Sequence, residues 1–178
     1  MSRFIKSISI CCTFFLVMAG SVLNAQQDDK ATGLTNNQIV KTVPVAWNTF
    51  VRAETDKMFN TYVGIGGLGK FFHIRNLTPI DKQEVVRLNR DTRYSIGIFD
   101  LTNPVTITLP DSKGRYISMQ VISEDEYPKS VEYNAGDYTF TEEKIGTRYV
   151  CLIVRILVNG EDAKDNEIVT GLQNSVMV

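Results

Sequence analysis

Trp47, Phe50, Val51, Met58 and Tyr62 recur at the three- and four-residue spacing of a single helical face. Pro44 suits the first turn of that helix, and Gly64, Gly66, Gly67 and Gly69 supply its stop. The pattern predicts a helix over about residues 44–63. The period then changes from helical to two-residue. Residues 85–101 alternate for much of their length, and Val105, Ile107 and Leu109 alternate cleanly with Thr106 and Thr108. Residues 110–114 read as a turn, with residues 115–122 returning as the second strand of a hairpin. Residues 133–141 suggest another hairpin-like piece, turning at 134–137. Residues 149–158 are apolar on both faces, as in a central strand. Asp162 then caps a second helix, over about 162–177, with Ile168, Val169, Leu172 and Val176 on one side.

A helix, several antiparallel strands and a second helix predict a mainly β fold, an immunoglobulin-like antiparallel β-sandwich with flanking helices. At 178 residues, 43% hydrophobic and 22% charged, the composition is that of a folded globule with a substantial core. Residues 1–25 stand apart: Arg3 and Lys6 precede an uncharged, largely apolar run over 8–22, and small residues offer cleavage after Ala19 or Ala25. This is the layout of a secretory signal peptide, and the run is short for a membrane span. The expected product is periplasmic or extracellular, free of the membrane after cleavage, with a loose segment over 26–42 and one domain over 43–178. Cleavage removes two positive charges from a chain of formal net charge −1, which argues against a nucleic-acid partner. It also removes Cys11 and Cys12 and leaves Cys151 alone in an apolar strand, where a buried, inert thiol is expected.

The candidate chemistry lies in Asn89, Arg90, Asp91, Thr92, Arg93, Tyr94 and Ser95, polar residues set between apolar runs where unpaired burial is costly. Read as one strand over residues 86–98, alternation puts Arg90 and Thr92 with Tyr94, Ile96 and Ile98 toward the core, and Asn89, Asp91, Arg93 and Ser95 away from it. Glu54 falls near the middle of the helical stripe and becomes the expected core partner of Arg90, with Arg155 the rival cation. The alternative to a buried ion pair is an arginine that holds an anionic ligand, oriented by Glu54. His73 is the only histidine, which excludes multi-histidine metal motifs, and no metal or cofactor is expected. Gly64 to Gly69 spells GxGxxG, but a helix leads in where a dinucleotide fold needs a strand. The GxxxxGK match over residues 64–70 lacks its Ser or Thr, with Phe71 in that place.

Phe50-Val51-Arg52-Ala53-Glu54-Thr55-Asp56, residues 67–73, Thr78-Pro79-Ile80-Asp81, residues 89–95, residues 105–110 and Gly146-Thr147-Arg148-Tyr149-Val150 occur in an order that resembles the bacterial domain-of-unknown-function family 1254 (DUF1254). The resemblance runs from about residue 43 to 172. It implies an immunoglobulin-like sandwich with added helices, followed in longer members by a jelly-roll-like domain of family 1214 (DUF1214). It brings no assigned catalytic residue. On this reading the chain stops near the limit of the first domain: a fragment, a truncated product or a stand-alone half.

Two functions are carried forward. The first is a secreted binding or interaction module with a polar pocket around Arg90, Glu54 and Tyr94. Its partner is a small polar or anionic ligand, or a second β domain in the same or a separate chain. The second is a hydrolase in which His73 acts as acid or base, Asp91 orients it and Arg90 stabilises negative charge.

Overall fold

The computed structural model describes residues 44–81 and 89–178. The expected signal peptide over 1–25, the loose segment over 26–42 and the start of the long strand over 85–88 lie outside the described residues.

The first helix, α1, spans Phe50–Gly64, and the last, α3, spans Ala163–Asn174. Between them run β1 (Phe72–Ile74), β2 (Thr92–Asp100), β3 (Val105–Leu109), β4 (Ile117–Ser123), β5 (Pro128–Glu132), β6 (Gly136–Phe140), the one-turn helix α2 (Glu142–Ile145) and β7 (Tyr149–Leu157). The fold is mainly β and antiparallel, with an N-terminal and a C-terminal helix, as the pattern predicts. A five-stranded sheet has the order β1-β2-β7-β4-β5, and a separate ribbon pairs β3 with β6.

β7 is central because both of its faces are apolar. Val150, Leu152, Val154 and Ile156 join Met119, Val121, Ile107, Leu109 and Phe140 in the main core, between the sheet and the ribbon. Cys151 faces the other way, with Ile96, Ile98 and Phe59 beneath α1. Two-residue periodicity on one strand thus serves two cores, each excluding water from apolar surface.

The strand pairing differs from the expected hairpins. β3 does not pair with β4 across the 110–114 turn: it pairs with β6, while β4 lies between β5 and β7 in the other sheet. The piece over 133–141 is not a hairpin: it holds a single strand, β6, which pairs with the distant β3. Turn chemistry at Ser112 to Gly114 is genuine, with Arg115 N–H donating to Ser112 O. But a turn reverses the chain without dictating which strand it meets, and apolar faces from distant segments decide the pairing.

The buried face of α1 also differs from the expected stripe. Thr55 and Phe59 are buried, and Met58, Tyr62 and Val63 pack beside them. Trp47 is 92% exposed, and Phe50 and Val51 are about half exposed. Positions 55, 58, 59, 62 and 63 also fit a helical period, rotated from the stripe that starts at Trp47.

α1 ends at its glycines. Gly66 has a φ of 100°, which a side chain would strain. Gly67 O then accepts from Ile98 N–H at 2.7 Å and Gly69 N–H donates to Ile98 O at 2.8 Å, laying the glycine segment along β2.

Candidate functional site

β2 places polar residues on the face opposite α1. Thr92, Tyr94, Ile96 and Ile98 alternate toward the helix, whereas Arg93 and Ser95 turn toward α3. The buried arginine is therefore Arg93, only 7% exposed, and not Arg90. Strand geometry begins at Thr92, and Arg90 precedes it in an exposed turn where Asp91 N–H donates to Asn89 Oδ1. That turn breaks the long-strand register that would have carried Arg90 into the core.

Arg93 grips α3. Its Nη1 donates to Asn166 O at 3.0 Å and to Thr170 Oγ1 at 2.9 Å, and its Nη2 donates to Asn166 Oδ1. Its Nε is buried without an acceptor. All these partners are neutral, and burial and the neighbouring Arg75 push the guanidinium pKa downward, against a pull from Asp165. Asp165 is itself engaged by both Nη atoms of Arg115. Arg93 is thus a buried cation with no ion pair among the described residues.

A connected chain of polar groups runs beside it. Arg75 Nη1 donates to Gln173 Oε1 at 3.1 Å. Gln173 Nε2 donates to Tyr94 O at 3.0 Å and to Ser95 Oγ at 3.2 Å. Ser95 Oγ lies 2.8 Å from His73 Nδ1, the two residues being direct partners in the β1–β2 register. Ser95 Oγ thus accepts from Gln173 and shares a further hydrogen bond with His73 Nδ1. Burial, and secondarily Arg75, hold His73 below its ordinary pKa. The chain ties β1, β2 and α3 together and satisfies groups that would be costly to bury unpaired.

A cleft of about 830 Å³ opens at the N-terminal end of α3. Its charged lining residues are Arg90, Asp91, Arg93 and Glu161, joined by the amides of Asn76, Asn159 and Asn166. Asp91 is held there by its carbonyl, which accepts from Val158 N–H at 2.9 Å. Arg90 is exposed and makes no ion pair among the described residues. The cleft brings together two arginines that have no ion pair among the described residues, amide donors and acceptors, and two carboxylates. That set can bind a polar molecule by charge-assisted hydrogen bonds.

The other candidates fall elsewhere. Glu54 is on the solvent side of α1, about half exposed and 3.6 Å from Lys57 Nζ, so it forms no core pair with Arg90 or Arg155. The stripe through Trp47, Phe50 and Val51 would bury Glu54, but the helix buries the face of Thr55 and Phe59 instead. Tyr94 lies on the α1 side of β2 with the Arg155 guanidinium 5.8 Å from its ring centroid, and it does not line the cleft. His73 does not line the cleft either, and its charged neighbour is Arg75 rather than Asp91. Its serine partner, Ser95, has no exposed surface from which to attack a substrate. His73, Asp91 and Arg90 therefore do not converge as a hydrolase would require. Cys151 is fully buried, which pushes its thiol up to about 12 and leaves it protonated and unreactive. The residue missed was Arg93. One signal in the sequence pointed to it: Asn166, Thr170 and Gln173 form a polar stripe at helical spacing, and such a stripe turned inward needs a polar partner.

Among proteins and structures similar to this chain, the family described as Protein of unknown function (DUF1254) matches over residues 68–178. The crystal structure of the VPA0106 protein from Vibrio parahaemolyticus is similar at a TM-score of 0.51 with 16% sequence identity. That likeness covers 71% of this chain and 34% of the VPA0106 chain, so this chain spans about a third of its length. At that identity the likeness is one of fold alone. No curated protein matches the chain.

Proposed function

The chain belongs to the family described as Protein of unknown function (DUF1254), and from that premise we propose that it is a secreted or periplasmic binding module. Its ligand is a small polar or anionic molecule held in the cleft that Arg90 lines. The observation that carries this reading is the pair of arginines without ion pairs among the described residues, Arg90 and Arg93, on the wall of a cleft of about 830 Å³. Binding modules keep such charge available, because an arginine already committed to a carboxylate has little left for a ligand.

Export rests on the basic start, apolar run and small residues of the first 25 positions. A second β domain of family 1214, in the same or another chain, is the macromolecular partner within this proposal.

Native mass spectrometry of the exported chain tests the binding role. Wild-type protein should carry a small molecule through gentle desalting, and Arg90→Gln should carry less of it. Equal retention by folded wild type and variant would remove Arg90 from the reading. The mass of the exported product tests secretion: the chain should begin at Gly20 or Gln26, and a mature mass that retains Met1 would contradict cleavage.

A further inference from the structure

We infer that the ligand of this cleft presents one singly charged oxyanion of carboxylate type, seated against Arg93 with Arg90 closing over it. The inference rests on the cleft being a binding site, and it adds the charge and chemistry of what binds there.

Arg93 carries the argument. A guanidinium has five N–H donors, and those of Arg93 meet only neutral oxygens of Asn166 and Thr170, while Nε has no acceptor. A buried cation left without a counter-charge destabilises its surroundings unless something anionic approaches. The neighbours sharpen that demand. Arg75 lies close enough to repel it, and Arg75 spends its own donors on Thr170 O, Gln173 Oε1 and Asn174 Oδ1, all neutral. Asp165, which attracts it, is bound by Arg115. Arg90 adds a further positive charge on the same cleft without an ion pair among the described residues. Elsewhere arginines do find carboxylates: Arg52 meets Asp125 at 2.6 Å and Arg148 meets Asp100 at 2.7 Å. Arg155 also lacks a carboxylate partner among the described residues, but it lies over the Tyr94 ring and does not line this cleft.

The carboxylates Asp91 and Glu161 limit the ligand's charge. They line the same cleft and would repel a second or third negative charge, so a phosphate dianion is disfavoured relative to a carboxylate. They also suit a ligand that is positive at its other end.

Arginine-selective NMR of the full chain supplies a direct test, because the Arg93 Nε–H gives its own cross-peak. Sodium acetate and its neutral isostere acetamide are the probes, with sodium chloride as the ionic-strength control and inorganic phosphate and glycine as further probes. Acetate and glycine should shift the Arg93 cross-peak saturably, whereas chloride should not. Arg90→Gln should weaken acetate by about tenfold, the scale of one lost charge-assisted contact. Phosphate above its second pKa should bind less tightly than acetate.

The inference is overturned if acetate moves the peak no more than chloride does, or if phosphate dianion binds more tightly than acetate. Shifts by acetamide and not by acetate would overturn the charge assignment and leave the binding reading standing. If no probe shifts the cleft and the purified protein also carries no ligand, both readings fall. Arg93 itself is not substituted, so loss of folding cannot imitate loss of binding.

Discussion

Gly97 shows how tightly single residues are fixed in this fold. A Cβ there would lie 2.6 and 2.8 Å from Phe99 ring carbons and 2.9 Å from the backbone oxygen of Lys70. The ring edge has little freedom, since Phe99 is buried against Phe71 with ring centroids 5.3 Å apart. Gly97→Ala should therefore destabilise by about 1–3 kcal/mol, the usual range for overpacking a close-packed interior. A urea midpoint within error of wild type would show that Phe99 can move aside. The polar residues of β2 are as constrained. Ser95 accepts from Gln173 and is hydrogen-bonded to His73 Nδ1, and Arg93 holds three hydrogen bonds to α3. In the sequence these residues look like a polar interruption. Alternation alone correctly separates Thr92 and Tyr94 from Arg93 and Ser95. It cannot say which of the two faces meets α3, because α3 lies about seventy residues downstream in sequence.

At the scale of elements, α1 marks the limit of periodicity. A helix with apolar residues scattered around its circumference offers more than one plausible stripe, and only packing selects among them. Phe59 is 5% exposed and Trp47 is 92% exposed. Phe59→Ala should then lower the unfolding free energy by about 3–5 kcal/mol. Trp47→Ala should change it by no more than about 0.5 kcal/mol. Denaturant titration of both variants would read the burial of α1 directly, and the reverse order of effects would return the helix to the stripe that begins at Trp47. The start of α3 is signalled chemically as well as by period. Asp162 accepts from Lys164 N–H at 2.9 Å and from Asp165 N–H at 3.4 Å, the N-cap its sequence position predicts. Its apolar side is only partly as expected: Val169 and Val176 are buried and Leu172 half-buried, but Ile168 is exposed. Arg75 and Arg93 draw the polar side of α3 onto the sheet, which turns Ile168 outward.

For the whole molecule, the polar chain from Arg75 through Gln173 and Ser95 to His73 predicts a pH response. His73 has a folded pKa below its ordinary value, so the unfolded chain takes up the proton first as pH falls. Its contribution to stability is complete above the ordinary histidine value of about 6.5 and is lost as pH falls from there to the folded value. Urea midpoints measured between about pH 7.5 and 5.5 should fall more steeply for wild type than for His73→Gln. Parallel curves would mean that His73 titrates alike in the folded and unfolded chains. Acid loss at still lower pH should be common to both, because Asp165 is held below the usual carboxylate range by Arg115. By itself, the sequence determined the mainly β class, the central place of the 149–158 strand, the Asp162 cap, the glycine stop after α1 and the inert burial of Cys151. Each follows from interactions within a few residues or from an apolar pattern that admits one reading. Only the tertiary structure decided that β3 meets β6, that Glu54 faces solvent, and that Arg93 is buried while Arg90 opens onto the cleft. Those outcomes depend on contacts between distant segments, where the apolar faces available across the whole chain outweigh any local preference.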